Sequence, residues 1–104
     1  MIIMRIAICD DEKSMQNILE KLLDEYSRMR NIDVSIDKFD NGHDLLRTLN
    51  EKEYEIVFMD YQMQVIDGME TSRLIRNNNN ECIIIFVSAY PEVAVDSYEV
   101  NTFR

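Results

Sequence analysis

The sequence predicts a doubly wound α/β domain, a parallel sheet with helices on both faces. Three observations carry that expectation. Short apolar runs at residues 4–8, 34–39, 56–59 and 82–87 alternate with stretches of helical periodicity, the pattern of parallel strands joined by crossover helices. Two of the runs, 56–59 and 82–87, are continuously apolar, as strands covered on both faces are expected to be. The 104 residues, 46% apolar and 30% charged, suit one globular domain with a core of its own.

The elements follow in order. Met1-Ile2-Ile3 leads into a first buried strand at 4–8. Met15, Ile18, Leu19, Leu22, Leu23, Tyr26 and Met29 then recur at three- and four-residue spacing. They predict a long helix packed through that stripe, with Lys13, Gln16, Glu20, Lys21 and Asp24 off it. Residues 34–39 alternate as a second strand, and Asn41-Gly42 breaks the chain before a helix carrying Leu45, Leu46 and Leu49. After the third strand, Asp67-Gly68 makes a turn in which glycine permits the backbone conformation. It opens a third helix with Met69, Leu74 and Ile75, which the asparagine run 77–80 ends because Asn tolerates left-handed backbone. Residues 82–87 form a fourth strand, residues 90–99 a fourth helix with Pro91 in its first turn, and residues 100–104 the approach to a fifth strand.

Charge and cysteine content narrow the function. Eleven basic against twenty acidic residues give a net charge of −9, which argues against this segment gripping nucleic acid or an anionic membrane. No apolar run reaches membrane-spanning length and no secretory signal precedes the first strand, so a cytoplasmic location is expected. In a doubly wound sheet ordered 2-1-3-4, Cys9 and Cys82 would fall on strands separated by an intervening one, roughly 9–10 Å apart at two strand spacings. That is too far for a disulfide, and they read as buried free thiols.

The chemistry-bearing residues sit at the ends of the strands. Cys9-Asp10-Asp11-Glu12 follows the first, Asp60 the third, and Ser88-Ala89 the fourth. In an open parallel sheet the carboxyl ends of the strands line one edge, where ligands bind. Any one of Asp10, Asp11 or Asp60 alone is an ordinary solvated loop acid. Together they would meet in one pocket, where three carboxylates repel unless a divalent cation neutralises them, and hard oxygen ligands suit Mg²⁺. Glu12 is a helix-start residue favoured by the dipole, and His43 is a surface residue.

With these stations in place the chain resembles the receiver domain of two-component response regulators. The resemblance rests on the acidic pair Asp10-Asp11, on Asp60, on Met63 and Asp67-Gly68 at the family's offsets from Asp60, and on Ser88-Ala89. The segments 86–90 and 98–101 are similar to the subgroup whose effector is a LytTR-type DNA-binding domain. The resemblance implies a flavodoxin-like strand order 2-1-3-4-5 and a phosphoacceptor switch rather than an enzyme. Asp60 would accept phosphoryl from a sensor histidine kinase. Mg²⁺ would be held by Asp10, Asp11, Asp60 and the backbone carbonyl of Gln62. Ser88 would contact the phosphoryl group, Ala89 would leave room for it, and Gln62 and Tyr90 would flank it. The output domain, expected to bind DNA, is not in this chain.

Two departures stand beside the resemblance. Gln64 occupies the position where the family usually has proline, whose fixed φ restrains the loop. The family's phosphoryl-pairing lysine, its switch aromatic and its fifth helix would follow Arg104. The chain therefore reads as a receiver domain over residues 1–104, truncated before the end of strand five and prone to self-association through uncovered apolar surface. One alternative is a pseudo-receiver that serves as an interaction module without phosphorylation. Another is an Asp-nucleophile, Mg²⁺-dependent phosphatase of the haloacid-dehalogenase type, which the adjacent acids Asp10-Asp11 disfavour because those enzymes space them as Asp-x-Asp.

Overall fold

The computed structural model of the protein describes residues 2–87. Seven elements alternate within them: β1 (Ile3–Cys9), α1 (Lys13–Arg30), β2 (Asp33–Phe39), α2 (Gly42–Leu49), β3 (Ile56–Asp60), α3 (Gly68–Asn77) and β4 (Ile83–Val87). The strands form one parallel sheet in the order β2-β1-β3-β4. This is the expected doubly wound order as far as the fourth strand. The expected fourth helix at 90–99 and the approach to a fifth strand lie outside the described residues.

Register sets the carboxyl edge. Cys9 lies opposite both Phe39 and Met59, and Asp60 opposite Val87. β1 and β3 thus end at the same level, one strand spacing apart, and the residues that follow them leave the sheet side by side.

The two faces are covered differently. On one, Ala7, Cys9, Val57, Met59 and Ile84 join Leu45, Tyr54, Ile75 and Cys82 in a buried cluster beneath α2 and α3. Those helices approach closely where α2 begins: a Cβ on Gly42 would overlap Thr71 Oγ1 and the Ile66 side chain. Asn41, expected only to break the chain, also caps α2, its Oδ1 accepting the Asp44 N–H at 2.8 Å.

The other face corrects the expected stripe. Met15, Leu19 and Leu23 are half-buried, but Ile18, Leu22, Tyr26 and Met29 are exposed, Met29 by 82%. The fully buried positions of α1 are Gln16 and Ser27. At 100° per residue, the inward line through Gln16, Leu23 and Ser27 lies roughly a quarter turn from the centre of the apolar stripe. On its β2 side the helix is tied by Lys38 Nζ, which reaches Glu20 Oε1 at 2.9 Å and Asn17 Oδ1 at 3.5 Å. Leu22 and Tyr26 point away from the sheet.

The fourth strand is likewise less buried than its apolar run predicts: Ile84 is fully buried, but Ile83 is 38% exposed and residues 85–87 are half-buried. In β3, Val57 and Met59 are buried while Ile56 and Phe58 are half-buried. Asparagines in left-handed backbone close both long helices, Asn31 after α1 (φ 56°) and Asn79 after α3 (φ 60°), the second as the asparagine run predicts. Both cysteines are free and buried.

Candidate functional site

At the carboxyl edge the described part of the chain brings Asp10, Asp11 and Asp60 together. Each offers one carboxylate oxygen, and the three oxygens lie within 4.8 Å of one another. Asp10 is buried, Asp60 half-buried and Asp11 exposed, so the cluster opens outward over Asp11. Asp10 is held at both ends: its N–H donates to Phe39 O at 3.0 Å, and its Oδ1 accepts the Glu12 N–H at 2.9 Å. Glu12 is the N-cap of α1, but its side chain makes no capping bond.

The electrostatics follow from this crowding. Burial, then the neighbouring Asp10 carboxylate, push the Asp60 carboxyl up to about 7 from the ordinary 3.8, against a weak opposing bond from the Gln62 N–H at 3.4 Å. Asp10 is raised as well, first by burial, then by Asp11 and Glu12, with the Glu12 N–H opposing. Beneath them, burial and the carboxylates of Asp10 and Asp60 push the Cys9 thiol up to about 12, which keeps it protonated and inert. Its Sγ lies 3.7 Å from Met63 Sδ, tying the loop after β3 to the end of β1.

That loop, residues 61–67, carries the remaining expected site residues. Gln62 is exposed, and its peptide adjoins the cluster through the contact with Asp60. The Tyr61 and Phe86 rings meet at 6.0 Å, bracing the loop on β4. Gln64 is exposed, and Val65, 86% exposed, adopts left-handed backbone with φ 72°. The loop closes where Gly68 N–H donates to Tyr61 O at 2.7 Å, and Asp67 caps α3 by accepting the Glu70 N–H at 2.8 Å.

Gly68 was expected to supply an unusual backbone conformation, but no glycine here has positive φ. Its role is close approach: a Cβ would overlap the Asp60 carbonyl oxygen and crowd Met59. Ser88, Ala89 and Tyr90 lie outside the described residues. His43 is on the surface. Sequence periodicity missed Gln16, which it places off the apolar stripe of α1 but which is 1% exposed beneath the Asp10 peptide. Amphipathic patterning carries no signal for a buried amide.

The donor set fits a small divalent cation. Three carboxylate oxygens converge, and burial first, then the neighbouring carboxylates, raise Asp10 and Asp60, a cost that a bound dication would relieve.

A parallel α/β sheet in the order β2-β1-β3-β4 with an acidic cluster at its carboxyl edge is the arrangement expected of a receiver domain. The model of the response regulator receiver domain matches residues 6–102, and the chain belongs to that family. It is similar to the transcriptional regulatory protein YpdB of Escherichia coli strain K12, with 29% identity over 100 residues, 96% of this chain and 39% of YpdB. It is also similar to the sensory transduction protein LytR of Staphylococcus saprophyticus, with 29% identity over 98 residues, 94% of this chain and 37% of LytR. That likeness agrees with the subgroup read from residues 86–90 and 98–101. The chain thus spans less than two fifths of these relatives.

Among solved structures, the response regulatory domain of MrkE from Klebsiella pneumoniae superposes with a TM-score of 0.82 at 27% identity, over 96% of this chain and 79% of that one. The response regulator TrrA from Thermotoga maritima, solved in complex with Mg(2+)-BeF, gives 0.81 at 28% identity, over 95% and 83%. No helix among the described residues is long and apolar enough to cross a membrane.

Proposed function

We propose that residues 1–104 act as a phosphoacceptor switch that takes phosphoryl from the histidine of a sensor kinase onto Asp60. The observation that carries this reading is the convergence of the Asp10, Asp11 and Asp60 oxygens within 4.8 Å. Asp10, Asp11, Asp60 and the backbone carbonyl of Gln62 are the groups that would hold Mg²⁺. When bound, Mg²⁺ neutralises charge on the transferring phosphoryl oxygens and on the carboxylates themselves. That the related TrrA was solved in complex with Mg(2+)-BeF supports Mg²⁺-assisted phosphoryl chemistry for this chain.

The chain's own residues supply alignment. The register of β1 and β3 presents Asp60 next to Asp10, and the Gln62 N–H at Asp60 Oδ1 favours the ionised, nucleophilic form. An Asp60 oxygen bonds to phosphorus as the bond from phosphorus to the kinase histidine nitrogen breaks, leaving an acyl phosphate and a free imidazole. Asp60 is consumed rather than regenerated in that step, so the domain is a substrate rather than an enzyme. Ser88 would hydrogen-bond the new phosphoryl oxygens and Ala89 would leave room for them. The added charge biases the surface beyond β4 between two states. The partners are a sensor histidine kinase and an output domain of the whole protein, a DNA-binding one of LytTR type, with this chain in the cytoplasm. For this chain alone, a second copy could meet the exposed α1 flank of Ile18, Leu22, Tyr26 and Met29.

The test is incubation with Mg²⁺ and acetyl phosphate, followed by intact-mass measurement. The expected outcome is the gain of one phosphoryl group, absent in Asp60→Asn. A wild-type chain that stays unmodified, while a response regulator of known activity is labelled in parallel, overturns the proposal in favour of an unphosphorylated interaction module.

A further inference from the structure

Gln16 is 1% exposed, one helical turn after the acidic pair, and its amide joins three segments of the carboxyl edge. Nε2 donates to Asp10 O at 2.6 Å and to Asp40 Oδ1 at 2.8 Å, with Phe39 O at 3.2 Å. A primary amide has two hydrogens, so the two short contacts take one each and Phe39 O shares. The surrounding oxygens also fix the orientation of the amide: turned over, its Oε1 would face a carboxylate and two carbonyls. Oε1 itself is buried and accepts no hydrogen bond among the described residues. A buried amide left half-satisfied is costly, which argues that its donor half is what the site requires.

Its consequence falls on Asp10. The Asp10 N–H is already fixed on Phe39 O at 3.0 Å, and Gln16 takes hold of the carbonyl of the same residue. Both sides of the residue are then anchored, and the carboxylate leaves it at one fixed height beside Asp60. Asp40, the second acceptor, is also paired with Lys13 Nζ at 2.8 Å, so the start of α1 and the end of β2 are joined through the same carboxylate.

We propose that Gln16 is a positioning residue of the cation site, setting the Asp10 backbone so that the Asp10 and Asp11 carboxylates meet Asp60 at cation-binding distance. This inference rests on the reading of that cluster as a Mg²⁺ site. It concerns a side chain that touches neither cation nor phosphoryl group but orients one that does, as outer hydrogen-bond partners do in metal sites generally.

The experiment uses the full chain and two readouts. Mg²⁺ and Mn²⁺ affinities are measured by titration in the wild type, in Gln16→Met, which keeps the volume and loses both donors, and in Tyr54→Phe, which loses a hydrogen bond to Asp37 on β2 and none to the cluster. Gln16→Met is expected to weaken Mn²⁺ binding by on the order of tenfold, with Tyr54→Phe within twofold of wild type. The second readout is amide hydrogen exchange at Asp10 and Glu12 without metal: faster in Gln16→Met, and restored in Gln16→Lys, which returns a terminal donor. Should Gln16→Met not fold, Gln16→Asn, one methylene too short to reach Asp10 O, replaces it. Unchanged affinity and unchanged exchange in the Gln16 variants overturn the positioning role alone. A wild-type chain that binds neither cation overturns the reading of the cluster, and with it this inference.

Discussion

Asp37 and Asp60 are the same residue type, each half-buried on a strand of one sheet, yet the fold treats them in opposite ways. Asp37 on β2 accepts Lys52 Nζ at 2.6 Å and Tyr54 Oη at 2.5 Å. Those bonds hold its carboxyl below the ordinary value, the Lys52 bond foremost. Asp60 on β3 receives one long backbone N–H bond and two neighbouring carboxylates. Lys13, two residues after Asp11, pairs with Asp40 instead. A carboxylate that serves the fold is neutralised by the chain. One that serves a ligand is left for the ligand to neutralise, at a cost to the metal-free protein.

The most direct way to break this comparison is to remove each charge in turn and measure stability by urea unfolding at pH 8 without metal. Moving a carboxyl from 3.8 to about 7 corresponds to as much as about 4 kcal/mol against the folded state at full ionisation. Water reaches part of the Asp60 side chain, so Asp60→Asn is expected to stabilise by about 1–3 kcal/mol. Asp37→Asn, which weakens the bonds from Lys52 and Tyr54, is expected to destabilise by about 1–2 kcal/mol. The same sign for both variants would end the contrast. Added Mg²⁺ is expected to raise wild-type stability, and that of Asp60→Asn less.

The pH dependence sharpens the same point. Below about pH 4 Asp60 is protonated in both folded and unfolded chains. Between about 4 and 7 the unfolded chain has released the proton and the folded one has not. The unfolded state then binds fewer protons and stability falls as pH rises, with the loss complete above about 7. Asp37 runs the other way: its lowered folded value makes its contribution present above the ordinary 3.8 and lost as pH falls through the folded value. Metal-free unfolding curves from pH 5 to 8 should show decreasing stability in the wild type and a flatter profile in Asp60→Asn. A wild-type profile no steeper than that of Asp60→Asn would mean that Asp60 is not the titrating group.

These differences explain which parts of the molecule were legible in the sequence. The parallel sheet and the meeting of Asp10, Asp11 and Asp60 follow from alternation and from the rule that parallel strands end along one edge, whereas the strand order comes with the family resemblance. The turn of α1 about its axis does not follow, because seven apolar residues define a stripe whose centre is not the line of contact. Which side of that stripe is covered depends on how the helix seats on the sheet, which periodicity does not record. Gln16 was missed for the same reason: a polar residue off the apolar stripe reads as solvated until the fold sets three acceptors around it. Gly68 was noticed but given the wrong reason, since steric closeness to the Asp60 carbonyl depends on how the loop returns and leaves no mark on local propensity.

The smallest expected effect lies in the loop that carries the site. Val65 holds φ 72° with its side chain 86% exposed. Left-handed backbone costs an L-residue roughly 1–2 kcal/mol, and a β-branched side chain is poorly suited to it. No packing offsets that cost, because the side chain is in water. Val65→Gly removes the strain but gives the unfolded chain more freedom, worth about 0.5–1 kcal/mol. The net expectation is a stabilisation of no more than about 1 kcal/mol, read from the urea midpoint with an unchanged slope. Strain held in a functional loop contributes to its preferred geometry, so the informative measurement is made alongside: the rate at which acetyl phosphate labels Asp60. If stability rises while the labelling rate is unchanged, the left-handed turn at Val65 is a tolerated defect. A slower rate means that the stiff, strained residue helps hold Asp60 and the Gln62 peptide in line, a restraint that Gln64 cannot supply as a proline would.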